Sequence, residues 1–261
     1  MARYKLICSY DGYDYMGFQI QNALPTIELE LKKAFLAVCK EEVKIYPSGR
    51  TDRHVHAVGQ VFHVDLDTNI PPYGLKRGLN SFLPKDIYIK HCELASNEFH
   101  ARFSAVQKEY RYYINTKEYN PITKRYMPYI PSLDAEAMKE ASKLLIGTHD
   151  FKGFASASID PRKNTCKTIF SIEVKEYEGY LEFSFIGDGF LKYQIRRMMG
   201  ILVEIGKHRF SSSKVQEILY SKNPCDSKYI VEGCGLYLFK VTYEEDYPII
   251  KQRIHKDNKK I

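Results

Sequence analysis

The sequence predicts an α+β fold made of two successive halves, each with the element order β-α-β-β-α-β. Short stretches that alternate apolar and polar residues, as strands do, are interleaved with stretches whose apolar residues recur at the helical period. This order occurs twice within the 261 residues, and turn-forming pairs such as Asp11-Gly12 and Glu178-Gly179 separate neighbouring elements. Two such units predict two ferredoxin-like halves that form an antiparallel sheet, with helices on one side and a cleft between the halves.

The N-terminal half, residues 1–105, contains the clearest helix start. Thr26 is a suitable N-cap, and Glu28 and Glu30 lie in the first turn, where negative charge complements the helix dipole. In chain order this half is predicted to contain a strand over 4–10, the Thr26 helix, strands over 42–47 and 58–66, a short helix after Pro71-Pro72, and a strand over 87–94.

The C-terminal half, residues 106–250, repeats this order and adds one short helix. Gly147 stands in the C′ position of one helix, and Ser213 with Gln216 has the spacing of a capping box at the start of the added one. The predicted elements are a strand over 108–115, a helix over 134–146, strands over 167–176 and 180–186, helices over 190–206 and from Ser213, and a strand over 236–243. A basic tail, 251–261, follows.

Composition and charge exclude some classes of protein. Charged residues make up 27% and hydrophobic residues 44% of the chain, which excludes disorder throughout. No apolar run approaches the roughly 18 residues of a membrane span, and the N-terminus has no signal-peptide core, so no membrane partner is expected. The net charge is +7, and the tail carries five basic residues against one acidic residue. A basic tail is compatible with a nucleic-acid partner and equally with a solvated segment.

The six cysteines indicate a reducing, cytoplasmic environment. They form no C-x-x-C pair, and several lie in apolar strand or helix patterns, where a reduced thiol acts as a small hydrophobic group. Because metal-ligand spacing is also absent, neither a disulfide framework nor a structural metal site is expected.

The densest polar segment is 48–56, with the sequence SGRTDRHVH, between two predicted strands. Loops held on a rigid scaffold often carry catalytic groups. Basic residues surround Asp52, so its pKa is expected to be low and its carboxylate permanently charged, as suits nucleophilic attack, proton abstraction or binding. The alternative is an aspartate that caps a turn within a structural ion-pair network. His54 and His56 have no third metal ligand at suitable spacing, so a turn and core role is expected for His56, and the role of His54 stays open.

Seven ordered blocks, which extend over most of the chain, resemble the motifs of the tRNA pseudouridine synthase A family. The most specific is Gly49-Arg50-Thr51-Asp52 with Val55-His56-Ala57, which resembles the family's G-R-T-D-x-x-V-H-A signature. The other blocks are Tyr10-Asp11-Gly12 with Gly17-Phe18-Gln19, Asn80-Ser81-Phe82-Leu83-Pro84, Phe99-His100-Ala101-Arg102, Lys108-Glu109-Tyr110, Gly147-Thr148-His149-Asp150-Phe151, and Gly189-Phe190-Leu191 with Ile195-Arg196. Because they share one register, the chain is identified as a member of that family.

The resemblance implies an enzyme that converts uridine to pseudouridine in structured RNA, typically in the tRNA anticodon stem-loop. It also implies a homodimer that needs no cofactor or metal. Asp52 is then the catalytic aspartate. In this reaction the N1–C1′ bond breaks, the uracil turns, and C5 joins C1′. A carboxylate either attacks C1′ or removes the 2′ proton to give a glycal, and the sequence leaves both routes open.

Two further residues resemble active-site groups of the family. Tyr110 resembles the tyrosine that stacks on the target base and assists proton removal at C5, although a core aromatic is the alternative, as also fits Tyr112. Arg196 resembles the arginine that pairs with the catalytic aspartate through a bidentate fork. Its alternative is a solvated helix face shared with Lys192 and Arg197.

Basic residues near these blocks are candidates for RNA contact. Arg50 is expected to contact phosphate or to open the target stem, since a uridine must leave the base stack to be modified. The other candidates are Arg53, His54, Arg102, Lys108 and Arg197.

The sequence departs from the family pattern at three places. Arg53-His54 replaces the usual Ala-Gly, so the loop needs a changed backbone or a φ that histidine tolerates. Residues 231–234 replace an Ala-Pro stretch, and Phe18 replaces a Trp. These departures indicate a divergent paralogue that retains the chemistry.

Three functions follow from this interpretation. The first is a pseudouridine synthase that acts on tRNA, and the second has the same chemistry on another RNA such as rRNA. The third is an RNA-binding or RNA-folding protein with reduced catalysis. The joint presence of Asp52, Tyr110 and Arg196 favours an enzyme, because binding alone does not require that set.

Overall fold

One mixed sheet forms the centre of the fold in a computed structural model, which describes residues 1–21, 24–160, 162–223 and 229–244. In these ranges the chain has nine strands and five α-helices. The first six elements are β1 (Ala2–Tyr10), α1 (Ile27–Cys39), β2 (Tyr46–Pro47), β3 (His56–Leu66), α2 (Pro72–Phe82) and β4 (Ile87–Ala95). The others are β5 (Ala105–Asn115), α3 (Ala135–Lys143), β6 (Gly147–Asp150), β7 (Cys166–Tyr177), β8 (Tyr180–Gly187), α4 (Gln194–Gly206), α5 (Ser213–Ser221) and β9 (Leu236–Tyr243).

The strands follow the spatial order β4-β1-β3-β9-β5-β8-β7-β6, and β2 pairs with β3. All pairs are antiparallel except β3 with β9, where His56 lies opposite Tyr237 and Ala57 opposite Leu238 in a parallel pair. The prediction of a wholly antiparallel sheet is therefore wrong at this one junction. The reason is that the last strand of the second half runs in the same direction as the strand after the polar loop of the first half, so the two halves share one sheet.

The core of the first half forms between α1 and the β1–β3 pair. Thr26 caps α1 as predicted, because its side chain accepts from the N–H of Leu29. Leu6 and Phe62 lie opposite each other and therefore share a face of the sheet, and Phe35 of α1 meets Phe62 edge to face with ring centroids 6.3 Å apart. Fully burying each such side chain stabilises the fold by about 1.5–3 kcal/mol.

The second half has a corresponding core. Tyr112 and Ile114 of β5 lie opposite Phe183 and Leu181 of β8, so these four buried side chains share one face. Helix α3 packs against both α4 and β7, and nearly all of α4 is buried. The buried residues of both halves form one continuous hydrophobic cluster.

Several predicted elements differ at their ends. The strand predicted over 42–47 is reduced to β2, because Val43 and Ile45 are buried between exposed neighbours without entering the strand ladder. The helix predicted from residue 190 begins only at Gln194, because Tyr193 has a left-handed φ of 68°. Helix α3 ends at Lys143 rather than at residue 146. Residues 144–146 form a tighter turn with i to i−3 hydrogen bonds, which leads into the unpredicted strand β6.

The predicted capping box is also wrong. Helix α5 has Ser212 as its N-cap, with no hydrogen bond from that side chain to the helix. The sequence pattern also missed three short 3-10 turns, Thr123–Arg125, Phe151–Phe154 and Gly233–Gly235.

Some predictions concern residues at or beyond the ends of the described ranges. The basic tail, 251–261, and the end of the predicted C-terminal half lie outside the described residues. Within the described ranges, no helix is long and apolar enough to cross a membrane. The five cysteines in these ranges are free thiols, and Cys225 lies outside them.

Candidate active site

The segment that carries Asp52, residues 48–55, is named the aspartate loop here, and buried hydrogen bonds hold its start. The backbone N–H of Ser48 donates to the carbonyl of Val61 at 2.7 Å, and its hydroxyl donates to Gln60 Oε1 at 2.8 Å. The amide nitrogen of Gln60 donates to the carbonyl of Gly49 at 2.8 Å. Because Gln60 lies on β3, the loop entry is fixed to the sheet.

The middle of the aspartate loop is held by residues from the N-terminal blocks. The Thr51 hydroxyl lies 2.8 Å from the hydroxyl of Tyr10, and the Thr51 carbonyl accepts from the N–H of Phe18 at 3.1 Å. Gly17, at a φ of 97°, packs so closely that an added Cβ would lie 2.8 Å from the Thr51 carbonyl oxygen. A glycine is required at that position, which explains physically why the Tyr-Asp-Gly and Gly-Phe-Gln blocks accompany Asp52.

The two histidines after Asp52 have different environments. His54 has a left-handed φ of 64°, which is one of the two outcomes expected where Arg53-His54 replaces Ala-Gly. Its Nδ1 forms a hydrogen bond with the carbonyl of Tyr13. His56 is buried, accepts from the N–H of Gly12 at 3.1 Å, and lies 3.1 Å from Asp11 Oδ1. The core role predicted for His56 is confirmed, and His54 closes the turn.

Asp52 and Arg196 come from opposite halves of the chain and meet. The Arg196 Nη1 lies 3.6 Å from Asp52 Oδ2, and both side chains are mostly buried. The Nε of Arg196 donates instead to the carbonyl of Val231 at 2.9 Å. The guanidinium is therefore shared between a carboxylate and a backbone carbonyl. These contacts do not form the expected bidentate fork onto Asp52.

The expectation of a low Asp52 pKa is wrong in sign. Burial raises the pKa of Asp52, and this effect outweighs the opposing charges of Arg196 and Lys192. Arg50 and Arg53 are the nearest cations in sequence, but both are exposed and do not contribute to this shift. The site thus holds a carboxylate whose charged form is partly desolvated, as suits a reactive group.

Tyr110 is buried beside this pair. Its ring meets Phe190 edge to face with centroids 5.3 Å apart. Burial, and secondarily the charge of Asp52, raises the pKa of Tyr110 well above its ordinary value, so the phenol stays protonated at neutral pH. The structure thus brings together all three predicted catalytic residues, and Tyr112 takes the core role.

Lys108 lies on the same strand as Tyr110 and reaches the aspartate loop. Its Nζ donates to the carbonyl of Ser48 at 2.6 Å. Burial, together with the charges of Arg102, Lys167 and Lys163, lowers the pKa of Lys108 to about 8. These like charges show that several cations converge beside the loop.

We name these five residues the cationic cluster: Arg50, Arg102, Lys108, Lys163 and Lys167. Burial, followed by the charges of Arg102, Lys167 and Arg50, lowers the pKa of Lys163. The cluster therefore extends from the aspartate loop to the segment before β7. In the ranges that the structure describes, the side chains of Arg50 and Arg102 form neither an ion pair nor a hydrogen bond. Their charges are available to an anion.

Sequence reasoning missed some of these residues. Lys163 and Lys167 belong to no motif, and only the fold brings them to the site. The sequence pattern predicts Lys192 only as part of a solvated helix face, yet its charge lowers the pKa of Asp52. The Nη1 of Arg197 donates to the carbonyl of Ala155 at 2.6 Å, so its guanidinium is used in the fold, and RNA contact by Arg197 or by exposed Arg53 stays a prediction. The described residues contain no group of side chains suited to a metal ion.

Comparison with known proteins gives the family. The family model described as tRNA pseudouridine synthase matches residues 6–104 and 141–244. The chain belongs to the tRNA pseudouridine synthase family. The two matched segments contain Asp52 and Arg196, whereas Tyr110 lies between them.

Relatives of similar length agree with this assignment. The chain is 39% identical over 249 residues to tRNA pseudouridine synthase A of Oceanobacillus iheyensis, covering 94% of this chain and 98% of the relative. It is 38% identical over 246 residues to tRNA pseudouridine synthase A of Bacillus subtilis, covering 93% of this chain and 99% of that relative.

A chain from a crystal structure of the archaeal box H/ACA sRNP Nop10-Cbf5 complex matches at a TM-score of 0.34 with 12% identity, over 77% of this chain and 43% of that one.

Proposed function

We propose that this enzyme isomerises uridine to pseudouridine in tRNA at the junction of its two halves, with Asp52 as the catalytic carboxylate. The observation that carries the proposal is the Asp52–Arg196 pair, 3.6 Å apart, on a loop that buried hydrogen bonds hold in place. A preorganised, partly desolvated acid beside one fixed cation suits a reaction in which charge develops at one sugar carbon.

The chemistry requires one bond to break and one to form. The N1–C1′ bond breaks, uracil departs with the electron pair, the base turns, and C5 bonds to C1′. C5 then loses its proton and N1 gains one. Asp52 either adds to C1′ and later leaves it, or removes the 2′ proton to form a glycal that is reprotonated. Both routes need the ionised carboxylate.

Arg196 and Tyr110 have separable roles in this proposal. Arg196 opposes the effect of burial on the pKa of Asp52, so it favours the ionised carboxylate and fixes its orientation. The Tyr110 pKa is raised, so its phenol acts as a hydrogen-bonding and stacking group against the base, not as a phenolate that accepts the C5 proton. Lys108 and the exposed arginines are proposed to contact phosphates of the bound RNA, since they form a cationic group beside the aspartate loop.

We further infer that the two halves are ferredoxin-like. The strand order β4-β1-β3 with β2 beside β3 has its counterpart in the order β9-β5-β8-β7, which supports equivalent strand positions in both halves. The homodimer, the cytoplasmic location, the helices on one side of the sheet and the absence of a cofactor are proposed from the family resemblance.

Tritium release tests the function. Wild-type enzyme and Asp52→Ala are incubated with tRNA transcripts and with rRNA fragments, each labelled with tritium at C5 of uridine. Release from tRNA by the wild type alone is the expected result. Release only from rRNA would select the second function, and RNA binding without release from either RNA would select the RNA-binding protein.

A further inference from the structure

A tight turn beside the aspartate loop holds an aromatic side chain out into solvent. Phe103 is 76% exposed and lies in the short segment between β4 and β5. A single exposed apolar side chain is common on protein surfaces, so exposure alone does not indicate a binding site. Phe103 differs because its turn is fixed by hydrogen bonds and lies among cations.

Local hydrogen bonds fix the turn. The Nδ1 of His100 accepts from the N–H of Arg102 at 3.1 Å and from that of Phe103 at 3.3 Å. The Ser104 hydroxyl accepts from the N–H of His100 at 3.0 Å, and the N–H of Ser104 donates back to the His100 carbonyl at 2.9 Å. The imidazole of His100 also packs on the Phe103 ring, with centroids 4.4 Å apart.

Buried residues tie the turn to the sheet. The N–H of Ala101 donates to Nδ1 of His63 at 3.1 Å, and the hydroxyl of Tyr243 donates to the carbonyl of Ala101 at 2.7 Å. His63 belongs to β3 and Tyr243 to β9, so the turn is attached to both halves at their junction. The exposed ring is therefore positioned before any ligand arrives.

The surroundings of Phe103 are positively charged. The guanidinium of Arg102 lies over its ring, 5.6 Å from the centroid. Arg102 also belongs to the cationic cluster, since its charge acts on both Lys108 and Lys163. An aromatic face beside unneutralised cations is the combination that binds unpaired nucleotides, because the ring stacks on the base while the cations contact the phosphate.

We propose that Phe103 is a stacking site for a second, unpaired base of the RNA, next to the uridine that is modified, and that Arg102 and Lys163 hold its phosphate. The proposal rests on the proposed function, since it takes the same RNA as ligand. It assigns to this site a nucleotide in addition to the reacting one. Charge complementarity favours RNA over a protein partner, because Arg102 forms no ion pair within the described ranges and its charge lies close enough to Lys108 and Lys163 to lower the pKa of both.

Equilibrium binding tests this separately from catalysis. All variants are built on Asp52→Asn, and their affinity for unmodified tRNA transcript is measured at fixed salt. Phe103→Ala is expected to weaken binding about tenfold, in line with the loss of one base–aromatic stack. Phe103→Trp should restore binding, whereas Phe103→Leu, which is apolar but cannot stack, should not. Phe82→Ala, at a position that is 60% exposed on α2, is the matched control and should bind normally.

A nucleotide scan identifies the partner base. The base is removed at each position that flanks the target, one position per RNA. With Phe103 intact, binding should weaken at one of these positions only. In Phe103→Ala, removal of the base at that position should have no further effect. Equal affinities of the Phe103→Ala and parent proteins would overturn the proposal, as would full binding by Phe103→Leu. Normal RNA affinity with altered sedimentation would also overturn it and would identify a protein contact. Tritium release by proteins with Asp52 intact reports on the proposed function alone.

Discussion

The aspartate loop and the cationic cluster are neighbours, yet they are constructed in opposite ways. The loop is fixed by bonds from Gln60, Tyr10 and Phe18, which come from two strands and a connecting segment. In the cluster, by contrast, Arg50 and Arg102 extend into solvent with no ion-pair partner among the described residues. The fold thus determines the position of the reacting acid, while the arginines keep their charges available until an anion arrives.

This difference predicts different consequences for substitutions in the two regions. Changes in or under the loop should lower the catalytic rate, and some should also lower stability. Changes in the exposed part of the cluster should weaken RNA binding and its salt dependence without affecting the folded protein.

Asp52→Asn should lower kcat by at least about a thousandfold, because both proposed routes need the carboxylate, while tRNA affinity stays near normal. Since the folded-state pKa of Asp52 is raised, its ionised form destabilises the native state, and this destabilisation grows as pH rises through that pKa. The variant should therefore melt no lower than the wild type at pH 7. Single-turnover assays and thermal melts check both points, and a kcat within tenfold of wild type would contradict the assignment of Asp52.

Arg196→Gln should lower kcat about a hundredfold and move the acid limb of the activity profile to higher pH. Arg196 lowers the pKa of Asp52, so its removal lets burial raise that pKa further, and ionisation then needs a higher pH. Measuring kcat/KM from pH 5 to 9 tests this. Arg196→Lys should restore part of the shift, and an unchanged acid limb would separate Arg196 from the ionisation of Asp52.

Gln60→Leu should lower both stability and rate. It removes the donor to the Gly49 carbonyl and the acceptor for the buried Ser48 hydroxyl. Both groups lose a partner, so the free energy of unfolding should fall by about 1–3 kcal/mol. A displaced loop should lower kcat about tenfold. Denaturant unfolding and tritium release are the measurements, and Gln216→Leu on the exposed face of α5 is the control. A normal rate in a destabilised Gln60→Leu protein would mean that Asp52 does not depend on this support.

Arg50→Ala should have the smallest effect. Because Arg50 is exposed and unpaired among the described residues, the melting temperature should not change. The tRNA affinity should fall a few-fold, and the slope of log Kd against log salt should decrease by about one. Arg77→Ala, at an exposed position on α2, is the comparison. A larger loss in kcat than in affinity would instead place Arg50 at the reacting nucleotide.

Local pattern predicted most of the fold because it follows burial. Strand β1 and helix α1 were recognisable because alternation or helical spacing coincided with the buried face. Strands β3 and β8 were recognisable from the alternation of their side chains, although both are buried at nearly every position. Residues 42–45 show the limit of this reasoning. Their alternating burial is real, but a strand also requires a neighbouring backbone to bond with, and that depends on residues distant in sequence.

The resemblance predicted that Asp52, Tyr110 and Arg196 belong together, and the fold brings them together, but the electrostatics of this group could not be predicted. The sequence shows which charges neighbour Asp52 along the chain. The pKa of Asp52 depends instead on its burial and on Arg196 and Lys192, which only the fold brings close. The departures from the family pattern show the same limit. An added Cβ at Gly233 would lie 2.4 Å from the carbonyl oxygen of Arg53, so two altered segments, far apart in sequence, lie against each other. The divergent paralogue stays a prediction.

The parallel pairing of β3 with β9 also affects how the chain folds during synthesis. β9 begins at Leu236, so the partner of the His56 end of β3 leaves the ribosome about 180 residues after β3 itself. Until then, that end of β3 is an open strand edge, a ready template for pairing with another nascent chain. The aspartate loop precedes this edge, so its final geometry is expected to form late, when the chain is nearly complete.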